Sequence, residues 1–236
     1  MKKLMLFLLG SLMLLPACLD DPITGPDTLQ ARLVFYSSLM ESDKVIWKVD
    51  DIASVSEQSY GIPVEGVVEV EGFDHQVHLS ASTLEGEVEL GGLTYFLDPY
   101  RYYMISLVGT EDDAQLLCDS MDTSFPTLGL VKMRFLQASE SMGSIDIYVG
   151  GELPEHRILS GVGFGQLSEY VEDTQESFWN AIIITPAEVT PEDSTILSYT
   201  VNNTFIPNKT YFGIINHTEV DPESSFRMQV FNQPSY

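Results

Sequence analysis

Cysteine, histidine and basic side chains are all scarce in this chain, and each shortage removes a class of protein. Cys18 and Cys118 are the only cysteines among 236 residues. A disulfide framework is therefore excluded, and any domain must stand on its own apolar core. The four histidines are His75, His78, His156 and His217. His75 and His78 come nearest to a metal motif, but on a strand residues three apart point to opposite faces. Lys and Arg together number 11 against 35 Asp and Glu, which excludes a nucleic-acid surface and disfavours anionic headgroups. There is no Gly-x-Ser-x-Gly elbow and no ordered set of Ser, His and acid, so no nucleophile is marked. Long apolar runs are missing too. The one exception, Leu4 to Leu15, is shorter than the ~20 residues a membrane helix needs.

That run follows Lys2 and Lys3 and leads into Leu15-Pro16-Ala17-Cys18, which resembles a bacterial lipoprotein cleavage site. The expectation is a signal peptide at 1–17, acylation at Cys18 and a polar tether over 18–30. A plain signal peptide that happens to contain a cysteine is the alternative. Asp20, Asp21, Pro22, Gly25 and Pro26 keep the tether turn-rich, and fully extended it spans up to roughly 40 Å. Leu19, rather than an aspartate, directly follows the cysteine. The resemblance thus implies a chain outside the cytoplasm, joined to the bacterial cell envelope through its lipidated N-terminus, at the outer membrane. Removal of 1–17 leaves 9 basic and 35 acidic side chains, a net charge of −26. Solubility explains that excess; binding of polyvalent cations is the sharper reading.

The rest of the sequence is written twice, about 100 residues apart. Val45-Ile46-Trp47-Lys48-Val49-Asp50-Asp51 is answered by Ile145-Asp146-Ile147-Tyr148-Val149-Gly150-Gly151. Tyr60-Gly61-Ile62-Pro63-Val64 is answered by Ser160-Gly161-Val162-Gly163-Phe164, and Pro99 to Tyr103 by Pro207 to Tyr211. A spacing this long means whole domains rather than solenoid repeats: 31–119 and 130–232, with a linker at 120–129. Val45, Trp47 and Val49 alternate with more polar neighbours, the period of a strand with one buried face. Asp50-Asp51 and Gly150-Gly151 fall where tight hairpin turns are needed. Further apolar runs, among them Tyr103 to Val108 and Tyr211 to Ile215, are divided by polar breaks, and none carries a capped helical period. The fold class expected is all-β: two tandem immunoglobulin-like antiparallel β-sandwiches, with a small barrel as the alternative. Gly161 to Gly165 superficially suggests a phosphate loop. In this alignment, however, Gly163 and Gly165 become Pro63 and Glu65, and only Gly61 and Gly161 persist, as a backbone turn requires.

Met133 to Ser139, Ile145 to Gly151, Leu159 to Gly165 and Ile184 to Ala187 occur in one order. That order resembles the bacterial domain of unknown function 4397 family, and the likeness covers most of 130–232, with 31–119 a more diverged copy. Gln137 stands where the family commonly has histidine, and Glu140 where it has proline. The resemblance implies a secreted or surface-attached β-sandwich module, often in tandem and often on lipoproteins, with no established catalytic residues.

Candidate contact residues come from the residues themselves. Tyr100 and Tyr102 have no aromatic counterpart at Asn208 and Thr210, so the fold does not demand them, and exposed tyrosines favour glycan or protein contacts. Glu111, Asp112 and Asp113 match Glu219, Asp221 and Glu223 in corresponding loops, an oxygen-rich pattern that could hold calcium. Cys118 ends an apolar run and reads as a small buried thiol. Asn202, Asn208 and Asn216 start glycosylation-type triplets that chance explains. The expected function is a membrane-anchored, non-catalytic binding, adhesion or scaffold lipoprotein without cofactors, whose partner is a glycan or an envelope protein. A calcium-dependent surface module and an envelope hydrolase are the alternatives.

Overall fold

The computed structural model describes residues 28–39, 44–84, 88–199, 205–217 and 226–233. The signal, Cys18, nearly all of the tether, Asn202 and the acids Glu219, Asp221 and Glu223 lie outside the described residues. The protein is all-β, as its alternating patterns imply. The first half contains β1 (Gln30–Ser37), β2 (Val45–Val49), β3 (Ile52–Gln58), β4 (Val64–Glu69), β5 (His75–Thr83), β6 (Glu89–Leu97), β7 (Tyr102–Val108) and β8 (Gln115–Ser120). The second contains β9 (Leu130–Gln137), β10 (Ile145–Val149), β11 (Arg157–Val162), β12 (Val171–Thr174), β13 (Ile182–Pro186), β14 (Leu197–Tyr199), β15 (Thr210–His217) and β16 (Phe226–Asn232). Among the described residues one short helix, α1 (Gln175–Asn180), interrupts the strands. The sequence reading missed it because six residues are too few to show a period, although the Thr174 side chain caps it by accepting from the Ser177 N–H.

The described strands form four four-stranded sheets, ordered β4-β1-β7-β8 and β3-β2-β5-β6, then β12-β9-β15-β16 and β11-β10-β13-β14. Adding eight to each strand of the first half reproduces the second. Within each half the two sheets enclose one core. The first is built on Leu33, Phe35, Trp47, Leu79 and Ile105, and the second on Met133, Phe135, Ile147, Phe178 and Ile184. Trp47 packs on Phe35 with ring centroids 5.1 Å apart, and its indole N–H donates to Gln58, whose amide in turn donates to the Phe35 and Ile62 carbonyls.

Three expectations are corrected. First, the sheets are mixed: β1 runs parallel to β7, and β9 parallel to β15. A parallel neighbour needs a long connection, and here almost the whole half supplies it, which a local pattern cannot reveal. The constant-type immunoglobulin order keeps its first strand at a sheet edge, whereas β1 and β9 are interior. Second, Gly150-Gly151 is not a two-residue turn. Asp50 and Asp51 do form one, with φ of 49° and 65°, but the second hairpin continues through a 3₁₀ turn at Pro154–His156. Trp47 therefore faces Val55 while Ile147 faces Leu159, four residues further along. This shift re-pairs the glycines. Gly61 (φ 71°) donates to the Ser37 carbonyl and Gly165 (φ 69°) to the Gln137 carbonyl, both at 2.9 Å. The structural partner of Gly61 is thus Gly165, not Gly161.

Third, 120–129 is not a free linker. Ser120 belongs to β8, and Met121 is buried in a third core made by Val34, Tyr36, Met104 and Val108 of the first half with Leu136, Phe212 and Ile214 of the second. The halves are joined face to face, sheet β4-β1-β7-β8 against sheet β12-β9-β15-β16. Each fully buried side chain of this kind contributes about 1.5–3 kcal/mol.

Candidate functional site

The structure separates the two tyrosines singled out from sequence. Tyr102 opens β7 and is 5% exposed, buried in the third core with the Arg32 guanidinium 5.5 Å from its ring centroid. It is a packing residue, because the face of β7 that would meet solvent in a single sandwich is covered by the second half. Tyr100 lies one turn earlier, 59% exposed, with φ 63°. Its N–H donates to the Gln30 carbonyl at 2.6 Å, just as Asn208, also at φ 63°, donates to the Leu130 carbonyl at 2.7 Å.

Glu111, Asp112 and Asp113 occupy the turn between β7 and β8. Among the described residues no three His, Cys, Asp or Glu side chains converge on a metal position. His75 faces inward on β5, accepting from the Glu71 N–H, while His78 is exposed on the other face. Asn216 is buried and donates to the Tyr36 hydroxyl at 2.9 Å, so its triplet marks no open site. Asn208 accepts from the Gly129 N–H.

Cys118 lies on edge strand β8, half-buried in a groove of about 450 Å³. One wall is Leu93 and Tyr95 of β6 with Leu116, Leu117, Cys118 and Asp119 of β8; the other is Gly165, Gln166 and Leu167 of the second half. Burial, and then the neighbouring Asp119, push the thiol pKa up to about 12. Almost no thiolate exists at neutral pH, and the groove holds an inert thiol rather than a nucleophile. Tyr95 stacks edge-on against Tyr103 at 5.8 Å. Its phenol pKa is also raised, mainly by burial and then by Cys118 and Asp119. Asp119 is held by Arg134 at 2.6 Å, a contact across the two halves. The far wall is fixed by Gln137 and Gly165, which close the 163–167 turn onto the end of β9. Gln137 itself is buried, donating to the Ser139 and Gly143 carbonyls and accepting from the Ser139 N–H. Its side chain is a structural amide that ties the end of β9 to the turn after it.

Two polar clusters went unread in the sequence. Lys132, nearly buried, binds Asp122 at 2.5 Å and Ser124 at 2.9 Å, and both Lys132 and Arg134 lie over the Tyr170 ring. Burial pushes the Asp122 pKa up, but the Lys132 and Ser124 hydrogen bonds outweigh it and the carboxyl titrates low. Asp146, fully buried on β10, accepts from Gly161 N–H at 2.8 Å, Glu188 N–H at 3.1 Å and Arg157 at 3.1 Å. Burial again opposes ionisation, and these hydrogen bonds override it and lower the pKa. The signal was present: one acid inside the apolar run Ile145 to Val149.

No family model matches the chain, and no curated protein is similar to it. Chemically, the groove offers apolar walls, one tyrosine and an edge strand whose outer backbone groups lie outside the ladder.

Proposed function

We propose that the chain is a non-catalytic binding and scaffold lipoprotein of the bacterial cell envelope, anchored through Cys18. We place it in the domain of unknown function 4397 family on its motif residues, with modules immunoglobulin-like in layout but not in strand order. Support for the layout comes from the paired sheets and from a tyrosine corner in each half. The Tyr103 hydroxyl accepts from the Asp98 N–H at 2.7 Å, and the Tyr211 hydroxyl from the Ile206 N–H at 2.9 Å.

The observation that carries a binding role is the composite groove. Its walls come from different halves, so the surface exists only because the third core locks them together. Leucine-rich walls beside an edge strand suit an extended polypeptide segment of an envelope protein, laid along β8. A photo-crosslinking residue at Gln166 should give a discrete adduct in intact cells, and Tyr95→Ala should abolish it. Protease sensitivity of the adduct marks a protein partner, and glycosidase sensitivity a glycan. No adduct at Gln166, or one indifferent to Tyr95→Ala, removes the groove from the reading.

A further inference from the structure

We infer that the end of the molecule where the chain enters β1 is a lipid-contacting face, seated on zwitterionic headgroups. The inference rests on the anchoring proposed above and adds an orientation to it. At this end the backbone ties several loops to the starts of β1 and β9. Val70 N–H donates to the Leu29 carbonyl, Tyr100 N–H to Gln30 and Asn208 N–H to Leu130, while Asp74 N–H donates to the Asp98 carboxylate. The two halves stand with like ends together, because Tyr36, late in β1, meets Asn216, late in β15.

Those loops carry apolar tips left exposed among the described residues: Phe73 (78% exposed), Tyr100, Phe125 (69%), Leu128 (90%) and Ile206, with Ile52 on the adjacent β2–β3 hairpin. Large exposed apolar residues also occur at the opposite end, namely Ile62, Leu84 and Val88, but they are all aliphatic. All four exposed aromatics among the described residues, Phe73, Phe96, Tyr100 and Phe125, lie in or next to the β1-start end. Amphipathic aromatic rings are the side chains enriched at headgroup depth.

Chain length supplies the second argument. From Cys18 to Thr28 there are ten residues, at most about 35 Å of extended chain. An acylated Cys18 therefore keeps this end, where the chain enters the fold, within that distance of the bilayer. Asp50, Asp51, Glu71 and Asp74 lie among the tips, so an anionic surface would repel what a zwitterionic one accepts.

The test uses the full chain, produced with its signal and reconstituted in phosphatidylethanolamine and phosphatidylcholine vesicles carrying brominated acyl chains. Leu128→Trp should be quenched at least threefold more than Ile62→Trp, with the unsubstituted chain giving the Trp47 and Trp179 background. Mass analysis of the same samples reports acylation separately. An acylated chain in which both positions quench equally overturns the orientation while the anchor stands. An unacylated chain whose Leu128→Trp signal still quenches on vesicle addition keeps the face and removes the anchor. Absence of both acylation and quenching overturns both.

Discussion

Tyr100 and Asn208 occupy the same left-handed turn position in the two halves, at the same φ of 63°, yet only one of them suits it. Asparagine visits this region readily, whereas an ordinary side chain loses about 1–2 kcal/mol there. A bulky aromatic retained at a strained, exposed position points to a use for the ring rather than for the turn. Tyr100→Asn should therefore stabilise the protein by about 1 kcal/mol, read as a rise in thermal midpoint. An unchanged or lower midpoint would mean that the ring itself holds the turn. Asp146 is the opposite case, a residue the fold cannot spare. Asp146→Ala removes two backbone hydrogen bonds and the Arg157 contact from a buried carboxylate. Because those partners lie at exposed residues that water can reach, the cost is about 1.5–3 kcal/mol. The pH dependence has a definite sign. The folded carboxyl titrates below its ordinary value, which is about 3.9 in an unfolded chain. Its stabilisation is complete above that value and is lost as pH falls through the folded pKa. In urea titrations from pH 5 to pH 2, the native protein should lose stability more steeply than Asp146→Asn; parallel curves would show that the carboxylate is not the titrating clamp.

Elements differ in how far they could be read from sequence, and burial explains the difference. β2 alternates cleanly, with Val45, Trp47 and Val49 buried and Ile46 and Lys48 half-buried, so its period was legible. β7 is buried at all seven positions. Its continuous apolar run, like Tyr211 to Ile215 in β15, is the pattern of a strand covered on both faces. That pattern was visible, and it foretold the third core that an isolated-sandwich reading left out; Tyr102 was misassigned for the same reason. The parallel pairs and the β8 groove depend on contacts between distant segments and have no local signature. The four-residue extension of the second hairpin also defeated a constant repeat offset, which paired Gly61 with the wrong glycine. The tyrosine corners were half legible: Tyr103 and Tyr211 aligned, but their acceptor role needs the turn before β7 and β15. Each hydroxyl accepts one backbone N–H, so Tyr103→Phe and Tyr211→Phe should each cost about 1 kcal/mol. Because the two sit in separate cores, the double variant should lose the sum within about 0.5 kcal/mol, as measured by denaturant midpoints. A strong departure from additivity would show that the corners report on one shared core.

For the whole molecule, the contact between halves repeats itself. The turn at Gly61 leans on Arg227 and Gln229 of β16, and the turn at Gly165 leans on Gln115 and Leu117 of β8. These are equivalent strands and equivalent turns, so the interface has the reciprocal character of a two-fold pair contained in one chain. Polar contacts then break the symmetry. Tyr36 reaches Asn216 and Gln229 on one side, while Leu136 and Val108 meet apolar surroundings on the other. Such an interface couples two domains that each have a complete core of their own, and the strength of that coupling decides whether the groove persists. Phe212 sits in the third core, stacked on Phe231 at 5.7 Å, and belongs to neither inner core. Calorimetry of the native chain should show a single transition. Phe212→Ala, which removes a buried ring worth about 3–5 kcal/mol, should split it into two, with the inner cores melting separately. Two transitions in the native chain would mean that the third core is too weak to act as a clamp. A single lowered transition in the variant would mean that neither half stands alone, and the molecule would then be one folding unit rather than two modules pressed together.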